Sequence, residues 1–186
     1  MEKEKLLELL KVQEEKEKPL SYYELDHLLK QYVEETYGFY KVLPFKDAVV
    51  RMLSEENYRE RYQANSCEEL GVWVKPGDIC YIDYGMGYLN EAGFQHFGLV
   101  MKIVNSKAFV IPMTSNEKTY QESIKNRPKS HLMAIGKVKG MNKNSVLFLN
   151  DYKSINTARI IDVKAHIPTD SKLFLSIHQR LSKIVL

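Results

Sequence analysis

The chain has 186 residues, room for one domain or one with an appendage at roughly 150 residues per domain. Hydrophobic residues at 44% and aromatics at 11%, with twelve Tyr and seven Phe, exclude intrinsic disorder. The net charge of +3 hides an asymmetry: residues 1–70 carry 11 Lys and Arg against 16 Asp and Glu, whereas residues 71–186 carry 16 against 8. No apolar run approaches the ~20 residues that span a bilayer, so no membrane-spanning segment is expected. The first residues, Met-Glu-Lys-Glu-Lys, lack the basic and apolar regions of a secretory leader, and the expected location is cytoplasmic. Two cysteines, Cys67 and Cys80, make neither a disulfide framework nor a tetrahedral metal set, so no metal or cofactor is expected.

Residues 2–18 are rich in Glu, Lys and Leu, with Leu6, Leu7, Leu9 and Leu10 on a broad apolar side, and Pro19 ends that helix. Ser21 and Glu24 fit a capping box for a second helix, which uses Tyr22, Leu25, Leu28, Leu29, Tyr32 and Val33 at helical spacing. Gly38 is its expected stop. A third helix starts near Pro44, with Phe45, Ala48, Val49, Met52 and Leu53, and continues into the polar residues 55–62. These helices define an N-terminal extension, residues 1–70.

From Trp73 the pattern changes to period two. Residues 78–84 read as a strand, and residues 97–104 and 107–113 as a hairpin across Asn105-Ser106. Residues 131–138 and 145–149 supply two more strands, with a turn at Gly140-Met141-Asn142. A short helix is expected at 157–161. A last helix over about 169–185 shows Leu173, Ile177, Leu181 and Ile184 at three- and four-residue steps. Five short strands and a terminal helix imply an α+β class, a small β-barrel packed by helices in residues 71–186. The basic excess of this half makes it the candidate for a polyanionic partner.

Four stretches carry the chemistry in a recognisable order: Pro76-Gly77-Asp78 through Asp83-Tyr84-Gly85; Glu91-Ala92-Gly93-Phe94-Gln95-His96-Phe97-Gly98; Pro112-Met113-Thr114-Ser115; and Ser145-Val146-Leu147 through Lys153-Ser154-Ile155. In order and spacing they resemble the MazF/PemK family of toxins from bacterial toxin–antitoxin systems, over residues 75–186. The resemblance implies a small SH3-like barrel with a C-terminal helix, preceded here by the helical extension. It implies a homodimer, a cognate antitoxin partner and metal-independent cleavage of single-stranded RNA. Such cleavage uses the ribose 2′-hydroxyl as nucleophile and needs a base, an acid and an anion clamp.

Where the family carries its catalytic arginine, this chain reads Phe94-Gln95-His96-Phe97, so His96 matches that position. Imidazole ordinarily titrates at about pH 6.5 and serves as base or acid, which a guanidinium does poorly. Thr114 and Ser115 match the family's hydroxyls and can donate to phosphate oxygens, and Glu91 matches its loop acid, a catalytic candidate that can accept a proton or hydrogen-bond a base. Lys118, Lys125, Arg127 and Lys129, interleaved with Tyr120, form a basic loop suited to RNA, and Lys153, which matches a basic position before Ile155, is expected to bind phosphate as well. Asp78 and Asp83 are expected to fix the turns at the two ends of the first strand. His27, His131, His166 and His178 are weaker candidates.

Two other readings stay open. One is a barrel that binds RNA or a partner without cutting it. The other is an NlpC-type cysteine peptidase or amidase, with Cys67 as nucleophile ahead of the Pro-Gly-Asp turn and His96 behind it. Glu68 and Glu69 beside Cys67 oppose that role, because acidic neighbours raise a thiol pKa. The acidic extension is read as a packing accessory or as a shield for the basic half.

Overall fold

A computed structural model describes Glu4, Leu6, Leu7, Leu10, Lys11 and residues 22–127 and 129–185. Those first five residues are helical, while Pro19 and Ser21, the expected stop and cap, lie outside the described residues. The chain divides into two compact units, residues 1–49 and 50–186. Helix α1 spans Tyr22–Val42 and α2 spans Phe45–Arg61, so the division falls inside α2.

Gly38 does not end α1; the helix runs through it to Val42. A glycine inside a helix costs only about 1 kcal/mol, and Gly38 keeps a negative φ. The stop comes instead at Leu43, because the residue before a proline is forced out of the helical region. Pro44 then opens α2, its carbonyl accepting from the Ala48 amide at 3.0 Å.

The second unit is built on an antiparallel sheet of seven strands, two more than expected: β1 (Asp78–Asp83), β2 (Gln95–Val104), β3 (Lys107–Thr114), β4 (Leu132–Gly136), β5 (Ser145–Phe148), β6 (Lys153–Asn156) and β7 (Ile160–His166). The order is β4-β5-β3-β2-β1-β7, with β6 added on β3. The hairpin across Asn105-Ser106 is as anticipated. Both residues are left-handed, with φ of 47° and 60°, which matches the twist of the flanking strands. The helix expected at 157–161 is instead one 3-10 turn, Thr157–Arg159, capped by the Asn156 side chain on the Ala158 amide at 2.8 Å. Ile160, Ile161 and Val163 then favour an extended chain, and β7 pairs with β1. Strand β6 escaped notice because Lys-Ser-Ile-Asn buries only Ile155 and shows no alternation.

Each face of the sheet covers a core. On one side Ile79, Leu99, Ile111, Met113, Leu147 and Leu149 pack against Phe174, Ile177 and Leu181 of helix α4, which spans Lys172–Val185. On the other, Cys80, Ile82, Val100, Ala108 and Val110 meet Cys67, Ile155 and Ile160. Strands β6 and β7 stand at opposite ends of the run β6-β3-β2-β1-β7, yet Ile155 and Ile160 share that second core. The sheet therefore curls on itself in the manner of a small barrel.

Two buried aspartates hold the ends of β1, as expected from their positions. Asp78 accepts from the Lys75 amide at 2.8 Å and pairs with His166 Nδ1 at 2.7 Å. Beside it Gly77, at φ 92°, lies so close to the Ile167 carbonyl that no side chain fits. At the other end, the Asp83 carboxylate accepts from Ser54 Oγ (2.6 Å), Asn57 Nδ2 (2.7 Å), the Gly85 amide (2.8 Å) and Gln95 Nε2 (2.8 Å). It thereby joins α2, β1, β2 and the intervening loop. Hydrogen bonds to a charged group contribute about 1.5–3 kcal/mol each and are not additive. Asp83→Ala is therefore expected to lower the unfolding free energy of the whole chain by at least about 3 kcal/mol in urea denaturation.

Candidate functional site

The loop from Tyr84 to Phe94 enters β2 through a strained corner. Phe94 is left-handed at φ 54°, and its carbonyl accepts from the Tyr84 amide at 2.8 Å. Gly93 lies against Gly87 so closely that a Cβ would stand 2.8 Å from the Gly87 nitrogen. The loop is thus drawn closed on itself at two glycines.

This closure puts the Gly93 carbonyl 2.6 Å from His96 Nδ1. A carbonyl only accepts, so Nδ1 carries the hydrogen, and in the neutral form of the ring this tautomer presents Nε2 as an acceptor. His96 is exposed at the start of β2, opposite Ile82 of β1. On its other side Phe97 pairs with Met113, and the same register carried one step further sets His96 opposite Thr114. Opposed residues of an antiparallel pair share a face, so a free imidazole nitrogen and a hydroxyl stand on neighbouring strands at one end of the sheet.

Ala92, the residue before Gly93, is clamped from the start of β6 and the turn that precedes it. Lys153 Nζ donates to the Ala92 carbonyl at 3.0 Å, and the Ala92 amide donates to Asp151 Oδ2 at 2.6 Å. Asp151 Oδ1 lies 3.5 Å from Lys153 Nζ and Glu91 Oε2 lies 3.8 Å from it, while the ammonium sits 5.8 Å from the Tyr84 ring centre. Burial, followed by the Asp151 charge, pushes the Tyr84 phenol above its ordinary range, so the ring beneath Lys153 stays neutral. Glu91, Lys153 and His96 are therefore brought together by one short strap, residues 91–93. Lys153 and Glu91 hold the strap, and its next carbonyl orients His96. Asp151 was not anticipated; its place two residues before Lys153, in a 3-10 turn, carries no period to reveal it.

The remaining residues spread along the same end and beyond. Thr114 Oγ1 accepts from the Asn116 amide at 3.2 Å, and Ser115 is exposed. Ser115 lines a polar cleft of about 530 Å³ with Lys137, Asn142, Lys143 and Asn144. The expected basic loop is in part helix: Lys118 and Tyr120 belong to α3 (Glu117–Ser123), which Asn116 caps by accepting from the Thr119 amide. The Asn116 side chain supplies a partner to a first-turn amide that would otherwise lack one, which favours a helix start in this polar stretch. Lys125, Arg127 and Lys129 follow on exposed chain, and Lys129 pairs with Glu122 at 3.8 Å.

Cys67, the nucleophile of the peptidase reading, is buried, and desolvation raises its thiol pKa above the ordinary value. A protonated, inaccessible thiol is no nucleophile. Cys80 is fully buried and is pushed up by the same cause.

No protein-family model matches the chain, and no curated protein matches it. Among solved structures, it is similar to MazF from Deinococcus radiodurans, with 14% identity over 60% of this chain and 96% of that one and a TM-score of 0.47. It is similar to an endoribonuclease in complex with its cognate antitoxin from a Mycobacterial species, with 10% identity, 61% and 95% coverage and a TM-score of 0.43. A third is the Mycobacterium tuberculosis toxin MazF-mt6, at 12% identity, 58% and 91% coverage and a TM-score of 0.38.

Two outcomes follow from this geometry. Lys153→Ala removes one charged hydrogen bond from the strap, and amide exchange at residues 91–94 should accelerate about tenfold in hydrogen–deuterium exchange. Cys67 and Cys80 should resist iodoacetamide at pH 8 in the native protein and react once it is unfolded, as read by mass spectrometry. The sign follows from thiol pKa values raised by burial, which keep the thiolate fraction low until pH climbs well above the ordinary cysteine value.

Proposed function

We propose that this protein is a toxin-like endoribonuclease that cleaves single-stranded RNA without a metal, by attack of the ribose 2′-hydroxyl. The observation that carries this reading is the hydrogen bond from His96 Nδ1 to the Gly93 carbonyl, which leaves Nε2 as an oriented acceptor. Its place at the same end of the sheet as Thr114, in a chain whose motifs run in the order of the MazF/PemK family, supports the choice of substrate.

His96 Nε2 takes the proton of the 2′-hydroxyl as that oxygen bonds to phosphorus. The imidazolium so formed returns a proton to the departing 5′-oxygen. The products are a 2′,3′-cyclic phosphate and a 5′-hydroxyl end, and DNA, lacking the nucleophile, is spared. Thr114 and Ser115 donate to the non-bridging oxygens, where negative charge grows in the transition state. Glu91 and Lys153 act through the strap. Lys118, Tyr120, Lys125, Arg127 and Lys129 supply phosphate contacts and a stacking face along the RNA path. The chain works in the cytoplasm as a homodimer held in check by a cognate antitoxin.

Purified protein should cut mixed-sequence single-stranded RNA in EDTA. His96→Ala should slow the reaction about a hundredfold or more, and Thr114→Ala about ten- to a hundredfold. Retention of RNA with no cutting would instead assign the binding-module reading, and cutting that survives His96→Ala would move the chemistry elsewhere.

A further inference from the structure

A second cleft, of about 390 Å³, lies between the later turns of α2 and the β6–β7 turn. That volume falls within the roughly 300–1,000 Å³ of small-ligand sites. Its walls come from the barrel and from residues 51–64, which lie outside the four motif stretches.

Its electrostatics are unbalanced. Arg61 Nη1 donates to the carbonyls of Ala158 (3.3 Å) and Ile160 (3.2 Å), and its buried Nε has no hydrogen-bond partner. Arg159 Nη1 donates to the Asp83 carbonyl at 3.3 Å and lies 3.1 Å from where a Cβ on Gly85 would stand, so the glycine makes room for the guanidinium. Among the described residues, neither Arg61 nor Arg159 has a carboxylate partner. Of the two acids of the lining, the Asp83 carboxylate is turned to four neutral donors of α2, the loop and β2, and Glu55 pairs with Arg59 at 3.6 Å. Two guanidinium groups are thus fixed by backbone carbonyls with donors to spare, the arrangement that accepts a phosphate.

An aromatic pair completes the cleft. Tyr58 and Tyr62, one helical turn apart, place their ring centres 5.6 Å apart with an interplanar angle of 32°. Both are lining residues and more than half exposed, at 64% and 59%. Large aromatic faces kept in water beside fixed cations suit a base that stacks while its phosphate is held.

We infer that this cleft is a nucleotide-binding subsite, in which Arg61 and Arg159 take a phosphate and Tyr58 with Tyr62 stacks the base. The inference rests on the ribonuclease reading only for the source of the nucleotide, a unit of the RNA chain outside the scissile bond. A free nucleotide carries the same chemistry.

The test measures binding, not cleavage. Fluorescence anisotropy follows full-length protein with a short fluorescein-labelled 2′-O-methyl RNA, which has no 2′-hydroxyl to attack, and calorimetry follows adenosine monophosphate. Tyr58→Ala with Tyr62→Ala should weaken RNA binding about tenfold. Arg159→Gln, at an exposed side chain, should weaken it and lower the slope of log K against log salt by about 0.7. Melting curves verify that both variants are folded. Loss of adenosine monophosphate binding alone would keep the subsite and assign it to free nucleotides. RNA binding that weakens as expected in a protein that never cuts would remove the ribonuclease reading and leave the subsite standing. Wild-type protein that binds neither probe, or folded variants that bind both at full strength, would overturn the inference.

Discussion

The second unit depends on one buried carboxylate. Asp83 ends β1 with its backbone in the sheet and its side chain at the junction of α2, the following loop and β2. A carboxylate so enclosed is tolerable only because four donors replace its water. The donors come from α2, the following loop and the start of β2, so satisfying one charge fixes three pieces of chain against β1. Where β2 begins, and therefore where His96 points, follows from the Gln95 contact. Where the later turns of α2 lie, and therefore where Tyr58 and Arg61 stand, follows from Ser54 and Asn57.

From that anchor the loop is shaped by small, local compulsions rather than by a hydrophobic core. The left-handed Phe94 reverses the chain, Gly87 and Gly93 let it press against itself, and Asp151 with Lys153 grips Ala92 by both its amide and its carbonyl. The orientation of the imidazole is the last link, made by the carbonyl of the adjacent residue. Precision here comes from backbone groups, which carry little rotamer entropy to lose. A lysine and two acids that a surface view would treat as solvated charges are occupied in holding that backbone.

The candidate site was legible as a list of residues and hardly at all as an arrangement. His96, Thr114, Glu91 and Lys153 stand out because histidine, hydroxyl, acid and amine occur at marked places in an ordered set of motifs. That Glu91 and Lys153 grip a strap was not legible, because the salt bridge joins residues 62 positions apart. Asp151 left no trace, since a lone aspartate in a 3-10 turn has no period. The arginine and tyrosine cleft was invisible for a related reason: Tyr58, Arg61 and Arg159 lie on elements whose own patterns advertise nothing but a polar helix and a turn.

The fold divides the same way. Alternation and turn chemistry alone determined β1, the β2–β3 hairpin and α4, because a left-handed Asn-Ser turn and an i, i+4 apolar stripe are local consequences of local residues. The charge split between the two parts of the chain is likewise a matter of composition. Only the tertiary structure decided that α1 passes through Gly38, that residues 153–156 and 160–166 are strands, and that part of the basic stretch is a helix. Glycine's helix penalty is small enough to be outweighed, and a short polar strand gains its stability from the partner beside it. Pairing energy and burial depend on neighbours distant in sequence, and no pattern within one segment records who those neighbours will be.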